Sequence, residues 1–354
     1  MNRKPWSAFT GITSKSFVCD LVPAARTVTP DDLMDMAEYR REERIAACGG
    51  KDPILIRLAY AQDKWVYDAR GDVVTADNAA YAKATREERV NKFGLAYRRD
   101  AKFLLHKILA DIVVGAAVHL HQTQGWTTVL YDGLRTVNGA YNLYLKAQDS
   151  DMESGLLSLP GQSAHNKGLA CDSMMLDSSG REVDMGAHFD HLDMVVNSRL
   201  CDKISASAKQ NRLVREAAFL RSAFSQGLLI APLRNEFWDD RPPENREDLW
   251  RVLDSAARCI GINLLTQEDE AMRKTNHAAF TEKWERWSYA DFLKHWQQTF
   301  RGHEKALEKI LDTVMPPPIE KPEFYHGNYN HIYDEQLKAS GKNLTVIPSE
   351  AEGS

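Results

Sequence analysis

Ser163-Ala164-His165-Asn166-Lys167-Gly168-Leu169-Ala170-Cys171-Asp172 is the stretch on which the reading of this chain turns. Asn166-Lys167-Gly168 predicts a tight turn, with glycine supplying the backbone freedom. Such a turn brings a histidine before it near an aspartate after it. An imidazole nitrogen and a carboxylate oxygen make a sound pair of zinc ligands, but catalysis also needs a third ligand and an open coordination position. Taken alone, a histidine and an aspartate at this spacing describe a capped turn beside a solvent-facing acid. The neighbouring segments decide between the two.

Three of them carry matching chemistry. Asn235-Glu236-Phe237-Trp238-Asp239-Asp240 places three carboxylates within five residues. A metal-assisted hydrolase needs one such group as general base, and packing between Phe237 and Trp238 would raise its pKa by desolvation. The competing interpretation is an acidic turn before Pro242-Pro243. Tyr131-Asp132-Gly133-Leu134-Arg135 ends a predicted strand with an arginine able to steady an oxyanion. Asp184-Met185-Gly186-Ala187-His188-Phe189-Asp190-His191 offers acids and histidines on a predicted loop, where an aspartate can bind a substrate ammonium group.

Around these segments the pattern is mixed. A short helical pattern opens at Pro30-Asp31-Asp32 and runs through Met34 and Met36, and Ile54, Ile56 and Leu58 alternate as in a strand. A helix is predicted from Thr85 onward, with Leu104, Leu105, Ile108, Ile112, Val113 and Ala116 as its apolar stripe and Gly125 as its stop. Trp126 to Tyr131 predicts a buried strand, and 132–200 predicts short strands joined by loops. Residues 209–227 return to helix, and Leu228 to Ala231 forms a strand candidate. From Glu244 to Met315 the pattern is almost wholly helical, with Ser288 and Asp291 as a capping box, and Pro316-Pro317-Pro318 closes it. The expected fold is α+β, a small antiparallel sheet with flanking helices and a helical C-terminal extension. The corresponding division is 1–241, 242–318 and a tail at 319–354.

The whole chain bounds its class. It has 354 residues, 43% hydrophobic and 27% charged, enough to bury a core. A net charge of −5 leaves no basic footprint for nucleic acid or an anionic membrane. The five cysteines are scattered without a C-x-x-C pair, which argues against a disulfide framework or a cysteine zinc site. The amino terminus lacks an apolar signal region, and the longest uncharged run, Ile112 to Tyr131, is too polar to span a bilayer. These features lead to the expectation of a cytoplasmic protein.

Together and in this order, the segments resemble the D-alanyl-D-alanine dipeptidases, the group containing the vancomycin-resistance dipeptidase, on the zinc-dependent hedgehog/DD-peptidase fold. The resemblance covers about 100–240. It rests on Tyr131-Asp-Gly-Leu-Arg135, Ser163-x-His165-x-x-Gly168-x-Ala170-x-Asp172, Met185-Gly186-x-x-Phe189-Asp190, and Asn211-Arg212 leading to Glu236-Phe-Trp-Asp239. It implies one zinc ion held by His165 and Asp172, with Glu236 as general base on the metal water and Arg135 stabilising the tetrahedral intermediate. It further implies that Asp190 holds the substrate amine and that Ser163 lines the same pocket.

The sequence departs from that pattern in three places. The family closes on E-W-W-H, whose histidine is the third zinc ligand; Asp239 stands there instead, with Asp240 as the alternative if the register shifts by one. A His/Asp/Asp set carries one more negative charge and also suits a harder ion such as manganese or iron. Ala164 replaces a pocket serine, and Gly133-Leu134-Arg135-Thr136 replaces G-Y-R-P. The expected function is metal-dependent hydrolysis of D-Ala-D-Ala or a related small cell-wall dipeptide. The alternatives are a non-catalytic peptide-binding relative and a carboxypeptidase acting on muropeptides. The 244–315 helices fit a lid, a dimer contact or a docking face equally well.

Overall fold

The computed structural model describes most of residues 28–303; the longer breaks fall at 68–72, 150–156, 158–162, 192–200, 244–248 and 284–293. Its frame is a five-stranded sheet in the order β2-β7-β8-β10-β9, formed by β2 (Ile54–Ile56), β7 (Thr127–Asp132), β8 (Cys171–Leu176), β10 (Glu236–Arg241) and β9 (Ala231–Leu233). Two smaller sheets flank it: β1 (Leu33–Asp35) with β6 (Leu104–His106), and β3 (Trp65–Tyr67) between β4 (Val73–Thr75) and β5 (Arg89–Val90). The helices are α1 (Arg41–Ala47), α2 (Ala79–Lys83), α3 (Lys107–Gln124), α4 (Val137–Asp149), α5 (Ala206–Ser225), α6 (Leu249–Cys259) and α7 (Gln267–Thr275). The class is α+β.

Local chemistry explains the central elements. His106 caps α3 through Nδ1, which accepts from the Ile108 amide at 3.2 Å, and Gly125 ends the helix in the left-handed region at φ 68°. Between them Ile108, Leu109, Ile112, Val113, Ala116, Ala117 and Leu120 are buried, and α3 packs on α5 and on β7. Every residue of β8 is buried, as expected of a central strand. Phe189 stacks on Tyr131 of β7 with ring centroids 4.7 Å apart, and Trp238 of β10 meets Phe189 edge-on. Trp250 and Leu253 bury one face of α6, which packs against α5 and β9.

Several expectations are corrected. Met34 lies in β1, not in a helix, because Leu33 to Asp35 pairs antiparallel with β6. Leu104 and Leu105 belong to that partner strand, so the long helix begins at Lys107. Their apolar spacing suits both structures, and strand pairing decides. The 132–200 region contains the helix α4. The strand expected at Leu228 to Ala231 begins only at Ala231, and the acidic segment after it is strand β10. The main sheet is mixed, since β2 runs parallel to β7.

The Ser288–Asp291 capping box, the proline stop and the tail lie outside the described residues. Among the described residues, Cys48, Cys171, Cys201 and Cys259 are free thiols, and no helix is long and apolar enough to cross a membrane.

Candidate metal centre

Three adjacent strands deliver the site. Asp172, near the start of β8, pairs with Asp239 of β10 on one side and with Asp132 of β7 on the other. The three aspartates therefore lie in a row across the sheet. The β7–β8 pairing contains a register shift between Leu130 and Asp132, and β10 has one against β9 between Glu236 and Asp240. Bulges re-aim side chains, and here the second one lets Glu236 join Asp239, three residues on, with ligand atoms of Asp172, Glu236 and Asp239 all within 4.8 Å of one another.

His165 arrives from the quoted stretch. Ala164–Lys167 is a single 3-10 turn closed by Gly168 at φ 66°. Ser163 caps it: its hydroxyl accepts from the His165 amide at 3.2 Å, while Asn166 Oδ1 accepts from the Ser163 amide at 3.1 Å. The turn is tied down by the His106 amide donating to the Gly168 carbonyl and by Asn166 Nδ2 donating to the Arg135 carbonyl. The His165 ring is then oriented by its own Nδ1, which donates to the Gly133 carbonyl at 2.8 Å. That bond leaves Nε2 as the lone-pair nitrogen, 3.6 Å from Asp172 Oδ1 and 3.5 Å from Asp239 Oδ2.

The donor set fits a divalent cation. Asp172 Oδ1 is buried and has no hydrogen-bond partner, an arrangement that costs free energy unless something positive meets it. Asp132 also lies close to His165 and Asp172, but its oxygens are saturated. Oδ1 accepts from the Tyr97 hydroxyl and the Gly133 amide, and Oδ2 from two nitrogens of Arg135. Asp239 is itself bonded by Arg241 at both oxygens, so His165 and Asp172, with Asp239 and Glu236 beside them, are the groups that face the centre.

The electrostatics follow from burial and charge. Desolvation, with Asp239, Asp132 and Glu236 adding to it, pushes Asp172 well above the usual carboxylate range. Glu236 is raised to about 8 by burial and by Asp239. For Asp239, burial is outweighed by Arg241, which holds it well below the ordinary value. Arg135, buried beside Asp132, keeps its charge because that carboxylate outweighs desolvation; its guanidinium lies 5.6 Å from the Tyr60 ring centre. Asp190, in the left-handed region at φ 59°, accepts from the Tyr60 hydroxyl at 2.9 Å.

Strand alternation separates Asp239 from Asp240. Asp240 points to the opposite face, where Arg215 of α5 bonds it together with Ser173 Oγ and the carbonyls of Phe237 and Trp238. Burial raises Asp240 to about 7, against the pull of Arg215. On the same face Arg212 stacks on Phe237, 3.7 Å from its centre, and donates to the Met185 carbonyl, so the 184–190 loop is clamped to β10.

Sequence reasoning passed over Asp132, Tyr60, Tyr97 and Arg241. Asp132 was visible only as part of Tyr131–Arg135, and Arg241 only as the residue before two prolines. Tyr60 and Tyr97 are distant in sequence and carry no local signal.

Fold and site define an α+β protein with a buried histidine–carboxylate centre of the kind that can hold a divalent cation. No family model matches the chain. Over 154 residues, 44% of this chain and 74% of the relative, it is 25% identical to the D-alanyl-D-alanine dipeptidase of Escherichia coli (strain K12).

Proposed function

We propose that the chain is a metal-dependent peptidase, built on a hedgehog/DD-peptidase-like fold, that hydrolyses D-Ala-D-Ala or a related small cell-wall dipeptide. The observation that carries this reading is His165 Nε2 turned onto Asp172 and Asp239 with Glu236 beside them. The substrate class is taken from the distant likeness to the dipeptidase.

His165, Asp172 and Asp239 would hold the ion, zinc in the first instance. Bound there, zinc supplies Lewis acidity, polarising a carbonyl and making water nucleophilic near neutral pH. Glu236 accepts the proton of the attacking water and returns it to the leaving amine, from its place beside Asp172 and Asp239. Arg135, held in place by Asp132, faces the charge that develops on the carbonyl oxygen. Asp190, steadied by Tyr60, receives the free amino group of the substrate. Ser163 borders the pocket from its capping position, with a hydroxyl proton left to donate.

The test is D-alanine release from D-Ala-D-Ala by the purified protein. The expected result is release that a chelator abolishes and added zinc restores. A folded, zinc-supplied protein that releases none would overturn the dipeptidase reading.

A further inference from the structure

We infer that Arg241 is a positioning residue of the metal centre: paired with Asp239, it gives the ion a carboxylate ligand whose charge is already offset. The inference rests on the metal reading above and goes beyond it, to how a centre so rich in carboxylates sets its charge.

The three aspartates in the row are not treated alike. The outer two each meet an arginine from their own strand or its immediate continuation. Arg135 takes Asp132 Oδ2 through Nε at 2.9 Å and through Nη2 at 2.6 Å. Arg241 takes Asp239 Oδ1 through Nε at 3.0 Å and Oδ2 through Nη2. The central Asp172 has no arginine bonded to it and keeps an unpartnered oxygen. Residues two apart on a strand share a face, so Asp239 and Arg241 meet by strand periodicity alone.

Four carboxylates (Asp132, Asp172, Glu236 and Asp239) stand around the centre, and two of them, Asp132 and Asp239, are bonded by guanidinium groups. Asp239 and Arg241 are both buried, at 0% and 7% exposure, so water screens the pair little and the guanidinium charge is felt at the ion. Each Asp239 oxygen accepts from one Arg241 nitrogen and keeps a lone pair for coordination.

The experiment is a calorimetric titration of the full chain with Zn2+, comparing wild type with Arg241→Gln, Arg241→Lys, Asp239→Asn, the double variant Asp239→Asn/Arg241→Gln and His165→Ala. Removing one positive charge beside the ion tightens binding, by about tenfold or more in Arg241→Gln. Arg241→Lys keeps the charge and stays within about threefold of wild type. Asp239→Asn weakens binding, because Arg241 is left uncompensated, and the double variant recovers part of the loss. The double variant buries no unpaired charge, so it tests the idea even if Arg241→Gln does not fold.

A double variant no tighter than Asp239→Asn, or Arg241→Gln no tighter than wild type, would overturn the role given to Arg241. Wild type that takes up no Zn2+, or His165→Ala that binds it as tightly as wild type, would instead sink the metal reading and this inference with it.

Discussion

Glu236 is half-buried at the bulged end of β10, one carboxylate among several, and its role is separable from theirs by a change of one atom. In Glu236→Gln the side chain keeps its shape and loses its basicity. D-alanine release is expected to fall about 10²- to 10⁴-fold in kcat, with KM little changed, because proton transfer rather than substrate binding is lost. A variant that retains most of its rate would remove Glu236 from the chemistry. His165, Asp172 and Glu236 could be singled out as candidates in sequence because each sits in a short motif. The choice between Asp239 and Asp240 was not. It follows from which face of β10 meets His165, and adjacent residues of a strand always face opposite ways.

At the scale of elements, the turn after Ser163 and the pairing of β10 with α5 do most of the positioning. Gly168 has φ 66°, and a Cβ there would sit 2.8 Å from the His106 amide nitrogen. Gly168→Ala is expected to lower stability by about 1–3 kcal/mol in urea unfolding and to weaken zinc binding, since the same turn fixes His165. An unchanged midpoint would show that the turn yields easily. On the opposite face, Asp240→Asn leaves Arg215 buried without its carboxylate. The expected loss is about 3–5 kcal/mol in the same assay, with the kcat of the folded fraction unchanged; a loss below 1 kcal/mol would mean that the carbonyls of Phe237 and Trp238 suffice for Arg215. The tight turn at Asn166–Gly168 was readable because glycine after a polar pair is a local signal. Strand β6 was hidden, since Leu104 and Leu105 fit a helical stripe until their pairing with β1 is known.

For the whole molecule, the buried histidine at the head of α3 ties stability to pH. Burial lowers His106 to about 4. It stays neutral in the fold down to that pH, while in the unfolded chain it gains a proton near 6.5. Its stabilising contribution is complete above 6.5 and is lost as pH falls toward 4, to the extent of about 3 kcal/mol. Asparagine is a good cap that does not titrate. In His106→Asn, stability relative to wild type should therefore improve by about that amount between pH 7 and pH 4. Taking the difference removes the opposing contributions of Asp111, Glu236 and Asp240, whose raised values favour the fold at low pH. Parallel urea curves for the two proteins at both pH values would contradict the assignment.

Sequence alone determined the α+β class, the long apolar helix with its glycine stop, and part of the set of histidine and carboxylate side chains that gather at the centre. Each of these depends on neighbours within about two turns or one strand, where periodicity and turn preference act. The tertiary structure decided where those side chains stand and which partners they meet. It set three aspartates in a row by the order β7-β8-β10, turned Glu236 inward at a bulge, and gave Asp240 to Arg215. It also bound Asp132 to Arg135 and Tyr97, and Asp239 to Arg241. Strand order and bulge position are fixed by which apolar faces bury together across long loops. A charged residue finds its partner only after that packing is made.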